Sequence, residues 1–251
     1  MPTWNAHQYL KFADERTRPC KDLVARIGIA APRRIVDLGC GPGNSTVVLA
    51  ERWPNADLGG VDSSSAMIDV ARREQPDSRW IAADISDWAD SEGEQFDLVF
   101  SNAALQWVPD HASLYPRLLK RVAPGGAFAA QIPADFDALP HKLMRELATG
   151  VKAKEWYSHK PAFYYDLLAG RAASVDIWEV VYQHVLPGAD AIVEWYKGSG
   201  MRPFLEAMGS DTERDAFMSR YTEKIRAAYP VRPDGKVLFP FRRLFVIAYS
   251  N

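Results

Sequence analysis

The chain has 251 residues, of which 47% are hydrophobic and 25% are charged, and its formal net charge is −2. These values are ordinary for a globular protein, and the slightly acidic balance argues against the broad positive field that binds nucleic acid. No apolar run approaches the length of a membrane span, and the first residues do not read as a signal peptide, so we predict a cytoplasmic protein that is neither secreted nor membrane-bound.

From about residue 33 to residue 133, short runs of apolar and β-branched residues alternate with longer stretches of helical period. This alternation is typical of βαβ units and a parallel sheet. Sheets of this kind bind ligands outside the carboxyl ends of their strands, so chemistry is expected just after each run. The pattern predicts five strands, at residues 34–38, 58–62, 79–84, 96–101 and 127–132.

The pattern changes after residue 133. A largely helical region is predicted from about 139 to 170, and a sixth strand at 175–185. A last strand is predicted at 244–249, and the segment from about 187 to 234 before it is helical and rich in aromatic residues and methionine. We therefore expect a doubly wound α/β sheet that is mostly parallel, with two helical inserts, 139–170 and 187–234, as a cap.

A glycine-rich turn, Asp37-Leu38-Gly39-Cys40-Gly41-Pro42-Gly43-Asn44, follows the first predicted strand. Glycines at this place let the backbone approach a ligand at a helix N-terminus. The dinucleotide fingerprint Gly-x-Gly-x-x-Gly is not met, because Asn44 stands where its third glycine would fall. Asp37 would repel a pyrophosphate but attract an ammonium group, which S-adenosylmethionine carries together with a sulfonium. The loop therefore favours S-adenosylmethionine over a dinucleotide.

Acidic residues also follow the second and third strands. Asp62 comes one βαβ step after Asp37, which suits a carboxylate that binds ribose hydroxyls. Asp84 is placed to accept from an exocyclic amine, while its neighbour Ile85 is placed to pack on a purine ring. Asp after a strand is also common as a helix cap or turn residue. The three acids in register, with the glycine loop and with Asn102 after the fourth strand, favour the cofactor site.

At these residues the sequence resembles the class I S-adenosylmethionine-dependent methyltransferases, over about residues 34–133. Nearly the whole chain is similar to the trans-aconitate 2-methyltransferase family, through segments such as 101–107, 176–178 and 243–245. The resemblance implies transfer of the methyl group of S-adenosylmethionine to one carboxylate of trans-aconitate, which gives a monomethyl ester and S-adenosylhomocysteine. The predicted cofactor contacts are Asp37, Gly39, Cys40, Gly41, Asp62, Ser63, Met67, Asp84, Ile85, Asn102, Ala103, Trp107 and Arg16.

The resemblance also implies a division of the chain into three parts on a Rossmann-like, seven-stranded sheet. Residues 1–33 are expected to form an N-terminal helical segment that covers the cofactor site, and residues 34–135 to form the S-adenosylmethionine-binding core. Residues 136–251 are expected to hold the last two strands and the helical cap. Arg16, in the first part, is the candidate for the methionine carboxylate of the cofactor.

The proposed acceptor places few demands on acid–base chemistry. A substrate carboxylate is already ionised at neutral pH, so the rate must come from in-line positioning in a dry site, and we assign no catalytic acid or base. A tricarboxylate does require cations, preferably guanidinium groups. We predict that Arg202 and Arg243 bind the substrate and that Tyr165 and Trp195 line its pocket, although an aromatic core explains these aromatic residues equally well.

Histidine and cysteine show no metal-ligand spacing, and no metal is predicted. His111, after the fourth strand, is interpreted as a helix-start residue rather than as a base. Three alternatives stay open. The first is a methyltransferase that acts on another small acid, hydroxyl or amine, and a neutral acceptor would not need Arg202 or Arg243. The second is a nicotinamide oxidoreductase, which would bind NAD more tightly than S-adenosylhomocysteine. The third is a noncatalytic module, which would bind the cofactor without turnover.

Overall fold

The computed structural model describes residues 13–153 and 156–251, and seven strands in this part of the chain form one sheet. Their order is β3-β2-β1-β4-β5-β7-β6. Strands β1 to β5 pair in parallel, and β7 runs antiparallel to β5. This mostly parallel sheet confirms the predicted fold class. The strands are β1 (Arg34–Leu38), β2 (Asp57–Asp62), β3 (Arg79–Ala82), β4 (Phe96–Asn102), β5 (Val122–Pro133), β6 (Ser174–Leu186) and β7 (Val237–Tyr249).

Helices connect the strands, and their ends follow from local sequence. Ser64 begins the helix after β2, because its Oγ accepts a hydrogen bond from the Met67 amide. Met67, Ile68 and Ala71 form the buried face of that helix. The helices are α1 (Ala13–Arg26), α2 (Asn44–Arg52), α3 (Ser65–Glu74), α4 (Ile85–Asp90), α5 (His111–Lys120), α6 (Leu139–Leu147), α7 (Pro161–Leu168), α8 (Ala189–Lys197), α9 (Arg202–Ala207) and α10 (Asp211–Ala228).

The chain divides into two compact units. The sheet unit contains residues 16–133, 157–179 and 243–251, and its core is built on the fully buried centres of β4 and β5. The second unit contains the described parts of 1–15, 134–156 and 180–242. Its interior is aromatic, with Trp195 of α8 packed near His184 of β6 and Phe241 of β7. The covering role of residues 1–33 stays a prediction, and residues 1–12 lie outside the described part.

Several strand ends differ from the predicted boundaries, above all the end of β3 and the beginnings of β5 and β7. β3 ends at Ala82 rather than at residue 84, because Asp84 caps α4 through its Oδ1, which accepts from the Ser86 amide at 2.7 Å. β7 begins at Val237 rather than at residue 244. The sequence interpretation missed this first half because Pro240 lies in it, and proline argues against a central strand.

Candidate active site

The glycine loop after β1 has left-handed backbone at alternate positions. Gly39 has φ +70°, and a Cβ added there would lie 2.1 Å from the Cβ of Ala104, which follows β4. The loops after β1 and β4 are thus in direct contact. Gly41 has φ +55°, and a Cβ added there would meet nothing within 4 Å among the described residues. The backbone at Gly41 therefore borders open space that a ligand can enter.

Asp37 ends β1 with a fully buried carboxylate. Its Oδ2 accepts hydrogen bonds from Ser45 Oγ at 2.6 Å and from Thr46 Oγ1 at 2.8 Å, both in the first turn of α2. Burial raises the pKa of this carboxyl to about 6; the two hydroxyl donors lower the pKa, and the nearby Asp62 carboxylate raises it. The other oxygen, Oδ1, is buried and has no hydrogen-bond partner in residues 13–153 and 156–251.

Asp62 joins the glycine loop to the end of β2. Its Oδ2 accepts from the Gly41 amide at 2.9 Å, and its Oδ1 accepts from the Ser64 amide at 2.8 Å. Both oxygens are therefore fixed in orientation, while each keeps a further lone pair for a ligand hydroxyl. The side chain is only partly buried, so a ligand can approach it. Asp62 is thus both a structural link and a candidate acceptor of hydrogen bonds.

The third strand-end acid, Asp84, is a helix cap, as one of the sequence interpretations allowed. Its cap bond uses Oδ1, so the second oxygen remains for a ligand amine. Ile85, the next residue, is buried, and its Cδ1 would lie 3.6 Å from a Cβ placed on Gly39. The start of α4 therefore borders the same glycine loop as the segment after β4.

The segment after β4 is held in an unusual backbone conformation. Ala103 has φ +54°, a left-handed conformation that costs energy for a residue with a Cβ. Its amide donates to the Gln131 carbonyl at 2.8 Å, and its carbonyl accepts from Gln106 Nε2 at 2.7 Å. Trp107 ends the short 3-10 turn Leu105–Trp107 that follows. Strain held by hydrogen bonds on both sides is typical of a functional loop.

Three predicted cofactor contacts have side chains in different surroundings: Cys40, Ser63 and Met67. The Cys40 side chain is buried in a small cluster with Ile68 and Trp80, and burial, with the Asp37 and Asp62 carboxylates, raises the pKa of its thiol. Only the backbone of Cys40 is therefore left to face a ligand. Ser63 is exposed directly after β2, and Met67 is buried in the first turn of α3.

His111 occupies the first position of α5, as the sequence indicated, and is buried. Its Nδ1 lies 2.8 Å from the Tyr164 hydroxyl and its Nε2 lies 2.9 Å from the Leu105 carbonyl. Because the carbonyl can only accept, Nε2 carries the proton and Nδ1 accepts from the hydroxyl. Burial lowers the pKa of His111, although the bond to Leu105 opposes this. Both nitrogens are used within the fold, so His111 supports the turn after β4.

Comparisons with known proteins agree with this architecture. A family model described as "Methyltransferase domain" matches residues 35–126. The chain is 48% identical to the trans-aconitate 2-methyltransferase of Azoarcus sp. (strain BH72) and 46% identical to that of Rhodopseudomonas palustris (strain BisA53). Each alignment covers 99% of this chain and 99% of the relative. This protein belongs to the trans-aconitate 2-methyltransferase family.

Membership of the family establishes a methyltransferase that uses S-adenosylmethionine. The fold agrees with this class. The solved structure of the YcgJ protein from Bacillus subtilis matches with a TM-score of 0.60 at 13% identity, over 93% of this chain and 99% of that one. These findings favour a methyltransferase over the nicotinamide oxidoreductase considered from the sequence.

The described residues fit this cofactor. The buried Asp37 Oδ1 lacks a partner in the described ranges, and it would pair well with an ammonium group. The space beside Gly41 lets a ligand lie against the backbone next to Asp62, which accepts from the Gly41 amide. The predicted cofactor contacts around the glycine loop and after β4 therefore lie on adjoining segments. Arg16 lies in α1, but its side chain is outside the described part, so its role stays a prediction.

The predicted substrate residues lie in different surroundings. Arg243 is buried on β7 opposite Pro133 of β5, in the sheet unit. Arg202 begins α9 in the second unit, where its Nε donates to Glu206 Oε1 at 2.6 Å. Tyr165 is 53% exposed on α7, and Trp195 is packed in the aromatic interior of the second unit. Packing thus accounts for Trp195, and a substrate contact for any of the four stays a prediction.

Two further observations concern ligand and membrane classes. In the described ranges, no group of three or more His, Cys, Asp or Glu side chains is arranged to hold a metal ion. No described helix combines the length and the apolar character needed to cross a membrane.

One buried residue of the sheet unit escaped the sequence interpretation. Gln131 lies on β5 and is fully buried between Asn102 of β4 and Phe245 of β7. The available signal was a lone amide within the otherwise apolar run Ala127 to Ile132. That signal is weak in a sequence, because only the sheet register shows what Gln131 lies beside.

Proposed function

We propose that this protein transfers the methyl group of S-adenosylmethionine to a carboxylate of trans-aconitate, giving the monomethyl ester and S-adenosylhomocysteine. The similarity that carries the proposal is the 48% identity, over 99% of both chains, to a relative named trans-aconitate 2-methyltransferase. The methyltransferase-domain model spans only residues 35–126, whereas that similarity extends over the remaining residues as well. The shared region therefore includes the parts of the chain that hold Arg202 and Arg243.

The reaction needs no proton transfer. S-adenosylmethionine, when bound, supplies a methyl group on a positively charged sulfur. An ionised carboxylate oxygen of the acceptor forms the new carbon–oxygen bond as the carbon–sulfur bond breaks, and the electron pair of that bond stays on sulfur. The chain is thus required to orient two ligands and to exclude water, and the reaction calls for no general base.

The side chains divide this work by charge. Asp37, Asp62 and Asp84 stand at the ends of the strands that would hold the cationic cofactor, with the buried Asp37 toward its ammonium group. Arg243 is a buried cation on the other part of the same sheet and is proposed for an acceptor carboxylate. Arg202 is proposed as a second cation, with part of its charge balanced by Glu206.

Mass spectrometry tests the proposal. Purified protein is incubated with methyl-labelled S-adenosylmethionine and, in parallel, with trans-aconitate, cis-aconitate, citrate or isocitrate. We expect labelled monomethyl ester from trans-aconitate in clear excess over the others. Binding of S-adenosylhomocysteine without methylation of any of these acids would leave the cofactor assignment in place and remove the acceptor.

We also propose a cytoplasmic location. Both cysteines of the sequence, Cys20 and Cys40, lie in the described part of the chain, and both are buried and unpaired. Burial raises the pKa of the Cys20 thiol, as it does for Cys40, so neither is a ready nucleophile. A stable fold without disulfides is what a reducing compartment requires.

A further inference from the structure

The charge of the side chains along the carboxyl edge of the sheet changes from one side of the sheet to the other. Paired residues of neighbouring strands project to the same face, and the register places Asp62, Asp37, Asn102, Gln131 and Arg243 on one face in the order β2, β1, β4, β5, β7. This row runs from carboxylates through amides to a guanidinium. The acidic end of the row would attract a cationic cofactor. The Gln131 amide and the Arg243 guanidinium lie toward the opposite end, which would attract an anion.

Gln131 is the least satisfied polar side chain in this row. Its relative exposure is 0%, and neither its Oε1 nor its Nε2 has a hydrogen-bond partner in the described part of the chain. Asn102, its neighbour across the β4–β5 pairing, has a buried Oδ1 that also lacks a hydrogen-bond partner in the described residues. Its other neighbour, Phe245, offers no hydrogen-bond partner through its side chain. Buried amides without partners are rare in native proteins and call for an explanation.

The backbone of Gln131 already serves the active site. Its carbonyl holds the strained Ala103 through the 2.8 Å bond from the Ala103 amide. The side chain of Gln131 lies beside Asn102 of β4, a predicted cofactor contact. An apolar residue of similar volume would leave no polar atom of its own unpaired at this position. The amide is therefore expected to contact a ligand.

We propose that the Gln131 side-chain amide is a specificity-determining residue that donates a hydrogen bond from Nε2 to an acceptor carboxylate, beside the charge of Arg243. The amide is fully buried, so it reaches the ligand by rotation about its side-chain bonds. That rotation gives the unpaired Nε2 a charge-assisted hydrogen bond. The inference rests on the proposed function, because it requires an anionic acceptor.

Two substitutions test the amide. Gln131→Met keeps an unbranched side chain of similar length and removes both hydrogen-bonding atoms, and Gln131→Glu keeps the shape and adds a negative charge. We expect Gln131→Met to raise the KM for trans-aconitate by about tenfold or more. The Kd of trans-aconitate, measured on protein saturated with S-adenosylhomocysteine, should rise by about the same factor. The Kd of S-adenosylhomocysteine should stay within about twofold, and the melting temperature should hold or rise. Gln131→Glu should weaken the acceptor further, because like charges repel.

The control is Gln183→Met, an exposed position of β6 in the second unit, which should match the wild type in every measurement. If folded Gln131→Met binds trans-aconitate as tightly as the wild type does, the amide is only a packing residue and the inference fails. If the affinities for trans-aconitate and for S-adenosylhomocysteine fall together, Gln131 acts through the Ala103 loop and not on the acceptor. That result also overturns the inference. A wild-type protein that neither binds nor methylates trans-aconitate overturns the proposed acceptor itself.

Discussion

Asp37 is a carboxylate placed where water cannot reach it. Burial raises the pKa of this residue to about 6, and the hydroxyl donors of Ser45 and Thr46 only partly oppose the rise. Removing a carboxylate from water costs free energy that a cationic partner can return. The sequence predicted an ammonium partner from the position of Asp37, and the unpartnered Oδ1 in the described residues gives that prediction a physical basis.

The raised pKa of Asp37 predicts a pH dependence of cofactor binding. As pH falls through about 6, Asp37 takes up a proton and loses its attraction for an ammonium group. Wild-type protein should therefore bind S-adenosylhomocysteine about tenfold more weakly near pH 5 than near pH 7, with little change at higher pH. Asp37→Asn should bind weakly at every pH and lack this dependence. Isothermal titration calorimetry between these pH values measures it, and a flat wild-type profile would mean that the carboxylate charge is not used.

At the scale of elements, the glycine turn after β1 packs against the loop after β4 and the start of α4. The turn after β1 leaves no room for a side chain at Gly39, where Ala104 from the β4 loop and Ile85 from α4 come close. At Gly41 the same turn opens to free space. Gly39 therefore serves packing between loops, while Gly41 leaves room for a ligand to approach the backbone.

These two roles predict different effects of the same substitution. Gly39→Ala would bring a Cβ to 2.1 Å from Ala104, so the loops must separate, and we expect a large loss of stability together with loss of cofactor binding. Gly41→Ala meets no atom within 4 Å but places alanine at φ +55°, which costs about 1–2 kcal/mol. It should fold, with a modest fall in melting temperature, and bind S-adenosylhomocysteine at least about tenfold more weakly because the methyl fills the ligand space.

Thermal unfolding and calorimetry on the two variants separate the roles. Gly125→Ala is a matched control, because Gly125 also has positive φ and open space around it but lies in the turn within β5. It should show the stability cost of Gly41→Ala and keep cofactor affinity. Equal affinities for all three proteins and the wild type would argue that no ligand lies against the glycine loop.

The elements also show where prediction from sequence succeeds. Parallel strands bring their carboxyl ends to one edge, so Asp37 and Asp62 could be grouped from the chain alone. Sequence does not give the direction of a side chain at a turn, and Cys40 proved to point into the cluster with Trp80. Trp195 is apolar on an amphipathic helix, and only packing shows that it faces an aromatic interior. The neighbours of Gln131 could be found only from the register of three strands.

At the scale of the whole sheet, charge is sorted along one edge. The strand ends of β2 and β1 carry carboxylates, β4 and β5 carry amides, and β7 carries a guanidinium. We expect a cofactor with a positively charged reacting group and an acceptor with several negative charges to bind at different parts of the same edge. The arrangement would then order the two ligands without any acid–base group in the reaction.

This sorting predicts that Arg243 affects the acceptor and not the cofactor. Arg243→Gln should raise the KM for trans-aconitate by about tenfold to a hundredfold and should reduce the dependence of that KM on salt. Arg243→Lys keeps the charge without the planar fork, so it should fall between Arg243→Gln and the wild type. The Kd of S-adenosylhomocysteine should stay within about twofold in both variants.

Steady-state kinetics at low and high salt, with calorimetry for the cofactor, measure these effects. Arg73→Gln on α3 has the same change of net charge at an exposed position and serves as the control. Because Arg243 is only 4% exposed, thermal unfolding must first show that each variant is folded. A folded Arg243→Gln with unchanged KM would assign the guanidinium to the core of the sheet, and the acceptor carboxylates would then need other cations, of which Arg202 is the next to test.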